Sequence, residues 1–136
     1  MAGPLHFDLV SPERLLISEE VAQVVVPGVE GYFTVLADHA PFMTIMKPGV
    51  VEITGIGGDV RRIFVRGGFA DVSGSALTVL AEYAVRVEEL NAEMIAKQVR
   101  DAEEDLVDFG EDHVRRAAAE KHLNDLRDVQ RWIIPA

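Results

Sequence analysis

The chain has 136 residues and a mass of 14.9 kDa, enough for one domain or for a small domain with an appendage. Hydrophobic residues make up 49% and charged residues 26%, which is typical of a folded protein and not of a disordered one. The formal net charge of -10 argues against nucleic acid and anionic lipid as partners, because phosphate binding needs clustered Lys and Arg. Cysteine is absent, which excludes disulfides, thiolate metal sites and a cysteine nucleophile.

No apolar run approaches the roughly 18 residues that a membrane-spanning helix needs. The N-terminal residues Met1 to His6 lack the basic stretch followed by an apolar stretch that marks a secretory signal. We therefore expect a soluble chain with no direct membrane insertion.

Strand signals fill the chain up to Val87. The run Leu5 to Leu9 alternates between apolar and polar residues, and Val21 to Val26 is a β-branched run that ends at a Pro-Gly pair. Turn residues, including Gly57-Gly58-Asp59 and Gly67-Gly68, separate further short runs. This pattern predicts an all-β sandwich of about ten strands over residues 1–87.

Beyond Val87 the only glycine is Gly110 and the only proline is Pro135. Two apolar series recur there at spacings of four and three residues, which predicts two helices on either side of Gly110. The first helix is expected to begin at an Asn91 N-cap, and Glu111-Asp112 precede the second. We predict an antiparallel helical hairpin over residues 88–136. The two series are Ile95, Val99, Ala102, Leu106 and Phe109, and Ala119, Leu123, Leu126, Gln130 and Ile133.

Catalytic and metal-binding motifs are missing from the sequence. No phosphate-binding loop of the Gly-x-x-x-x-Gly-Lys type is present, and Ser73 and Ser75 lack the pattern of a nucleophile elbow. The four histidines form no His-x-x-x-His pair, and Glu103-Glu104-Asp105 lacks the loop glycine of a calcium site, so this run is interpreted as a solvated helix face. We expect no catalytic residue, no metal and no cofactor.

The segment from Pro27 to Ile53 carries Pro-Gly, Gly31, a short apolar strand, His39-Ala40-Pro41 and Lys47-Pro48-Gly49. It resembles the signature of the epsilon subunit of bacterial F-type ATP synthases, whose mitochondrial (delta) and chloroplast counterparts look similar. The segments Val65 to Val72 and Leu77 to Glu82 also match the family, and so does Phe7 to Pro12, so the resemblance spans nearly the whole chain. It departs at Thr34 and Ala37-Asp38, where the family usually has glycine and proline.

The resemblance implies a non-catalytic rotor subunit in the central stalk, on the cytoplasmic face of the bacterial inner membrane. Such a subunit sits on the gamma subunit and links it to the membrane c-subunit ring during proton-driven ATP synthesis. Pro41 and Pro48 are expected to hold the segment from His39 to Gly49 as a rigid loop at one end of the sandwich. His39 has two interpretations, a ring contact or a loop-stabilising hydrogen-bond donor. The implied ring contacts are Glu30, Gly31, Tyr32, Asp38, His39 and Ala40.

The family's second role is to restrain ATP hydrolysis when the hairpin rises toward the catalytic alpha and beta subunits. The second helix has cations for that contact, but acidic residues such as Glu120, Asp125 and Asp128 lie between them, so the strength of any regulation stays open. The cations are Arg115, Arg116, Lys121, Arg127 and Arg131.

In some family members ATP clamps the hairpin through an Ile/Leu-Asp-x-x-Arg-Ala motif. The matching stretch is Leu90-Asn91-Ala92-Glu93-Met94-Ile95, in which only the leucine survives. Because the carboxylate and the cation of the motif are gone, we expect no ATP binding by the isolated chain.

The sequence is also compatible with two other classes of function. One is a free-standing ligand-binding or adaptor β-sandwich whose helical tail docks on a different protein. The other is a small hydrolase that uses His39 and Asp38, although neighbouring residues do not usually align as a base and its orienting group.

Overall fold

A computed structural model describes residues 4–132, without the side chain of Trp132. The strands are β1 (Leu5–Ser11), β2 (Arg14–Gly28), β3 (Gly31–Val35), β4 (His39–Ile45), β5 (Gly49–Gly55), β6 (Val60–Gly74) and β7 (Ala76–Arg86). A short 3₁₀ turn, Val87–Glu89, precedes helices α1 (Ala92–Phe109) and α2 (His113–Trp132). The chain divides into two compact units, Met1–Val87 and Glu88–Ala136.

The first unit is a β-sandwich of seven strands within the described residues. The strands follow the order β1-β7-β6-β5-β2-β3, β1 also pairs with β2, and β4 pairs with β6. All pairings are antiparallel except that between β1 and β7. Because β2 pairs with β1 through its first half and with β3 and β5 through its second half, it joins both layers.

The predicted sandwich is confirmed, but the described residues contain seven strands and not about ten. Part of the difference arises because two strand signals merge into one long strand. The Gly67-Gly68 pair was expected to end a strand, yet β6 runs through it from Val60 to Gly74. Both glycines have positive φ, 71° and 108°, so the strand bends there without ending. A Cβ on Gly68 would lie 1.8 Å from the carbonyl oxygen of Leu80, so the two backbones approach closely only because this residue has no side chain.

Alternating residues of the strands form the sandwich core. Leu5, Phe7 and Leu9 of β1 are at most 1% exposed, in agreement with the alternation seen in the sequence. Val51 and Ile53 of β5 are fully buried in the same cluster. No charged or polar residue is buried among those described, so the core is held by apolar packing.

The second unit is the predicted helical hairpin. Asn91 caps α1 by accepting a hydrogen bond from the Met94 backbone N–H at 2.9 Å, and Gly110 ends the helix with a φ of 53°. The carboxylate of Asp112 accepts from the Arg115 backbone N–H at 3.2 Å at the start of α2. On α2, Leu123 and Leu126 are buried as the series predicts. The next buried residue is Val129, while Gln130 is exposed, so that position of the predicted series is wrong. Ile133 lies outside the described residues.

Candidate functional site

Three of the six predicted ring contacts lie at the tip of the β2–β3 hairpin. Glu30, Gly31 and Tyr32 are all exposed, and the turn closes through the pair Gly28 and Gly31. Gly31 has a φ of 139°, a backbone conformation that residues other than glycine rarely adopt. We call these three residues the hairpin-tip patch.

Tyr32 is held in place by neighbouring residues. Its hydroxyl oxygen accepts a hydrogen bond from the Val50 backbone N–H at 3.2 Å, and the Lys47 Nζ lies 5.3 Å from its ring centroid. A Cβ on Gly49 would lie 2.6 Å from that hydroxyl oxygen, so a glycine there makes room for the tyrosine. The Tyr32 ring is therefore fixed in position while it stays half exposed.

The other three residues, Asp38, His39 and Ala40, lie where the chain turns from β3 into β4, and we call them the strand-entry patch. Asp38 has a φ of 64°, and its carboxylate accepts a hydrogen bond from the Ser75 hydroxyl at 3.1 Å. The His39 Nδ1 donates to the Ala40 carbonyl oxygen at 2.7 Å. The hydrogen-bond-donor interpretation of His39 is thus present in the geometry, and it leaves Nε2 for another contact.

The two patches do not lie together. They occupy opposite ends of β3, whose five residues span about 13 Å at 3.3 Å per residue. The expected single loop from His39 to Gly49 is also wrong, because most of it is strand β4 paired with β6. Pro41 fits there because β4 is an edge strand and a bulge lies between His39 and Phe42.

A third surface, which the sequence did not reveal, crosses the outer face of the sheet. Five apolar residues from five strands stand side by side in one row, since each is the direct pairing partner of the next. At about 4.8 Å between strands the row is about 19 Å long. We call it the outer stripe. Its members in order are Leu15, Val10, Leu80, Phe69 and Ile45.

The outer stripe is open to solvent at both ends. Ile45 is 65% exposed, Leu15 58% and Phe69 39%. The neighbouring row contains Asp71, paired with Met43 and Thr78, so the surface turns mostly polar one row away. Finding the stripe requires the strand register, because its residues come from five different strands and look like ordinary strand residues.

The cations predicted for a regulatory contact are mostly engaged within the hairpin. Arg115 pairs with Asp112 at 3.5 Å, Arg116 with Glu120 at 3.5 Å, Lys121 with Asp125 at 3.1 Å and Arg127 with Glu103 at 3.9 Å. The Arg116 guanidinium also donates to the Leu106 carbonyl oxygen at 3.2 Å, near the end of α1. Arg131 lies exposed in the last turn of α2.

The stretch compared with the ATP motif, Leu90 to Ile95, contains the N-cap and the first turn of α1. The Asn91 side chain is occupied as the N-cap, and Ile95 is fully buried. No group of three or more potential metal ligands is found within residues 4–132. The Asp38 carboxylate accepts from Ser75 and the His39 ring donates to a carbonyl oxygen, so these neighbours do not form the base-and-orienter pair that a hydrolase needs.

A small ionic cluster also lies on β1 and β2. His6 Nδ1 is 2.9 Å from a Glu20 carboxylate oxygen and Nε2 is 3.3 Å from an oxygen of Asp8. The hydrogen bond that the His6 ring donates to the Glu20 carboxylate is the main reason that the pKa of His6 is raised, and the Asp8 carboxylate acts in the same direction. The backbone N–H of His6 donates to the Ser75 carbonyl oxygen, so this cluster adjoins the strand-entry patch.

The model of the beta-sandwich domain of the ATP synthase delta/epsilon chain matches residues 4–87. The chain belongs to the ATP synthase delta/epsilon family. The ATP synthase epsilon chain of Parvibaculum lavamentivorans is 47% identical over 93% of this chain and 98% of its own length. That of Mesorhizobium japonicum is 46% identical over the full length of both.

The family fold extends to solved structures. A chain of the mitochondrial ATP synthase of Euglena gracilis, from an assembly of OSCP, F1 and c-ring, is 25% identical with a TM-score of 0.75 and covers 96% of this chain and 81% of its own. A chain of the Tetrahymena thermophila central stalk and c-ring shares the fold at 11% identity and a TM-score of 0.55. None of the helices within residues 4–132 is long and apolar enough to cross a membrane.

Proposed function

We propose that this chain is a non-catalytic rotor subunit that joins the gamma subunit to the c-ring of a bacterial ATP synthase, peripherally on the cytoplasmic face of the inner membrane. The observation that carries the proposal is the outer stripe on a rigid sandwich that also bears the two exposed patches. A stripe of aligned, exposed apolar side chains marks a protein interface, and close-packed interiors transmit torque without absorbing it. The relatives' names and the stalk assemblies among the solved structures support this assignment.

The outer stripe is the proposed contact with gamma. Its apolar centre, with polar residues in the next row, matches the usual anatomy of a stable interface. Replacing Ile45 with glutamate places a charge on the most exposed position, and it should weaken co-purification with gamma at least tenfold. Replacing Ile56, which is 64% exposed on the β5–β6 turn, with glutamate is the matched control and should leave co-purification unchanged.

The c-ring is proposed to lie along β3. The hairpin-tip and strand-entry patches are at opposite ends of this strand, so one flat partner reaches both only by running beside it. Thr34 and Leu36 lie between the patches and are exposed, so the outward face of β3 is accessible along its length.

Cross-linking tests this placement directly. The chain contains no cysteine, so single cysteines at Glu30, Thr34 and His39 can be paired with a cysteine in the polar loop of the c-subunit. All three should cross-link in the assembled enzyme, while Ser18, paired with β1 on another part of the sheet, should not. Cross-linking at Glu30 alone, or at His39 alone, would contradict a ring that runs along β3.

The restraint of ATP hydrolysis is proposed to use Arg115, Arg116, Lys121, Arg127 and Arg131 toward the alpha and beta subunits. Four of these cations would first have to exchange their partners within the hairpin. Exposed ion pairs contribute only about 0–1 kcal/mol each, so this exchange is no large barrier. Replacing Arg127 with glutamine should raise ATP hydrolysis by the assembled complex, with Lys97 replaced by glutamine, in an ion pair on α1, as the control.

A further inference from the structure

The two halves of the helical hairpin differ in burial. No residue from 103 to 122 is buried, although all of them are described. The residues that flank this range are buried: Ala102 is 5% exposed and Leu123 is 4% exposed. Farther from the turn, Ile95 and Leu126 are fully buried. We call residues 103–122, which comprise the end of α1, the turn and the start of α2, the turn-end segment.

The space between the helices explains the difference. A groove of about 420 Å³ opens between the end of α1 and the start of α2, with small residues on much of its lining. Ala102, Ala118 and Ala119 line it together with Phe109 and Arg115. Alanine is too short to fill the gap between two helices, so the side chains that surround the groove lose the dispersion contacts of a packed core.

Electrostatics do not compensate for the missing core. The last turn of α1 contains no basic residue, and Asp105 and Asp108 lie near its negative dipole end. The hydrogen bond from Arg116 to the Leu106 carbonyl oxygen joins the two helices across this region. Val107 and Val114 are 76% and 81% exposed, and Leu106 and Phe109 are only half-buried, so the apolar residues near the turn contribute little burial.

We propose that the turn-end segment opens as a local unit, at a lower free energy than the remainder of the hairpin. Regions with little buried apolar surface open first in folded proteins, because little is lost when their backbone hydrogen bonds break. The part of α1 that begins at Asn91 and the part of α2 from Leu123 onward stay folded during this opening. The hairpin therefore has a stable part far from the turn and a turn-end segment that opens more readily.

Hydrogen exchange on the full-length chain measures this difference. Amides of the turn-end segment should exchange at least about tenfold faster than those of residues 95–102 and 123–129. Exchange at the same rate in both parts of the hairpin would overturn the proposal.

A groove-filling variant tests the cause. Ala119 is half-buried on the groove, so Ala119→Leu adds apolar atoms to the empty space and should slow exchange of the turn-end segment by roughly tenfold. Ala117 is exposed and does not line the groove, so Ala117→Leu makes the same chemical change without filling it. It should leave exchange unchanged.

Two further variants complete the test. Ala118 also lines the groove, so Ala118→Leu can be used as the groove-filling variant if Ala119→Leu does not fold. Arg116→Gln removes the hydrogen bond to Leu106 and should speed exchange in the turn-end segment alone. Equal slowing by the filling variants and by Ala117→Leu would show that helix propensity, not the groove, sets the rate, and the proposal would be wrong.

Discussion

Phe33 on β3 and Phe42 on β4 meet edge to face, with ring centroids 5.3 Å apart and an interplanar angle of 88°. Among the described residues, β3 pairs with β2 and β4 pairs with β6. β4 also reaches the β2–β3 turn at its end, where the Ile45 carbonyl oxygen accepts from the Val29 N–H at 2.8 Å. The aromatic pair therefore links two edge strands that no backbone ladder joins. Edge-to-face pairs of this kind are favourable beyond the area that they bury.

This contact predicts a measurable coupling. Replacing Phe33 and Phe42 with leucine, singly and together, should give a coupling free energy of about 0.5–1.5 kcal/mol in urea unfolding. As a reference, Phe42→Leu combined with Leu15→Ala, on the outer stripe, should give additive changes in the free energy of unfolding. Additivity for Phe33 and Phe42 as well would mean that the ring contact does not stabilise the sandwich.

Gly68 is predicted to be the least replaceable glycine in β6. Gly68→Ala combines a positive φ with a Cβ that would meet the Leu80 carbonyl oxygen, so the free energy of unfolding should fall by about 3 kcal/mol or more. Gly74→Ala is the control: its φ is also positive, at 60°, but no atom lies within 4 Å of the added Cβ. Its cost should be about 1 kcal/mol. Similar losses for both variants would contradict the role of close approach.

His6 is predicted to make the sandwich more stable at acid than at alkaline pH. Its folded pKa is raised above the usual value by Glu20 and Asp8, so its contribution is fully present below about pH 6.5, the pKa of an unperturbed histidine. The contribution is lost as the pH rises through the raised folded pKa. The melting temperature of His6→Gln should therefore fall furthest below that of the unchanged chain near pH 5.5, and the two should converge near pH 8.

A gap between His6→Gln and the unchanged chain that is the same at both pH values would exclude a protonated His6 as its source.

The sandwich is predicted to fold without the hairpin. A chain ending at Val87 keeps all seven strands and the whole apolar core cluster, whose members lie between Leu5 and Ala84. It should show a cooperative urea transition and bind gamma with unchanged affinity. A truncated chain that does not unfold cooperatively would show that the hairpin belongs to the same folding unit.

The isolated chain is predicted not to bind ATP. At the position of the ATP motif's carboxylate this chain has Asn91, whose side chain caps helix α1. At the position of the motif's cation it has Met94. Titration calorimetry should therefore give no binding tighter than about 1 mM, which corresponds to about -4 kcal/mol. Saturable heat at lower ATP concentrations would falsify this expectation.

Local signals made the ends of the helices predictable. Asn91 and Gly110 act through their own side chain and backbone, so their roles can be seen in the sequence without the rest of the fold. Val129 was missed in favour of Gln130, because a spacing of three or four residues allows both and only packing chooses between them. The strand and helix patterns predicted the sandwich and the hairpin, and the family resemblance implied the six candidate contacts.

Longer-range features were not predictable in the same way. The division of the six contacts into two patches depends on β4 being a strand, and the proline pattern around Pro41 favoured a loop. The Ser75 hydrogen bond to Asp38 and the pairing of His6 with Glu20 join residues that no local pattern connects. Both follow from the strand register, which a single sequence does not specify.

No short peptide of this chain contains the outer stripe. Each of its residues comes from a different strand, so the surface exists only when five strands are in register. A slip of one residue in β4 would turn Ile45 to the opposite face and put Thr44 or Met46 in its place. Under the proposed function, a partner that binds the stripe therefore selects correctly folded copies, and misfolded copies are left out of the assembly.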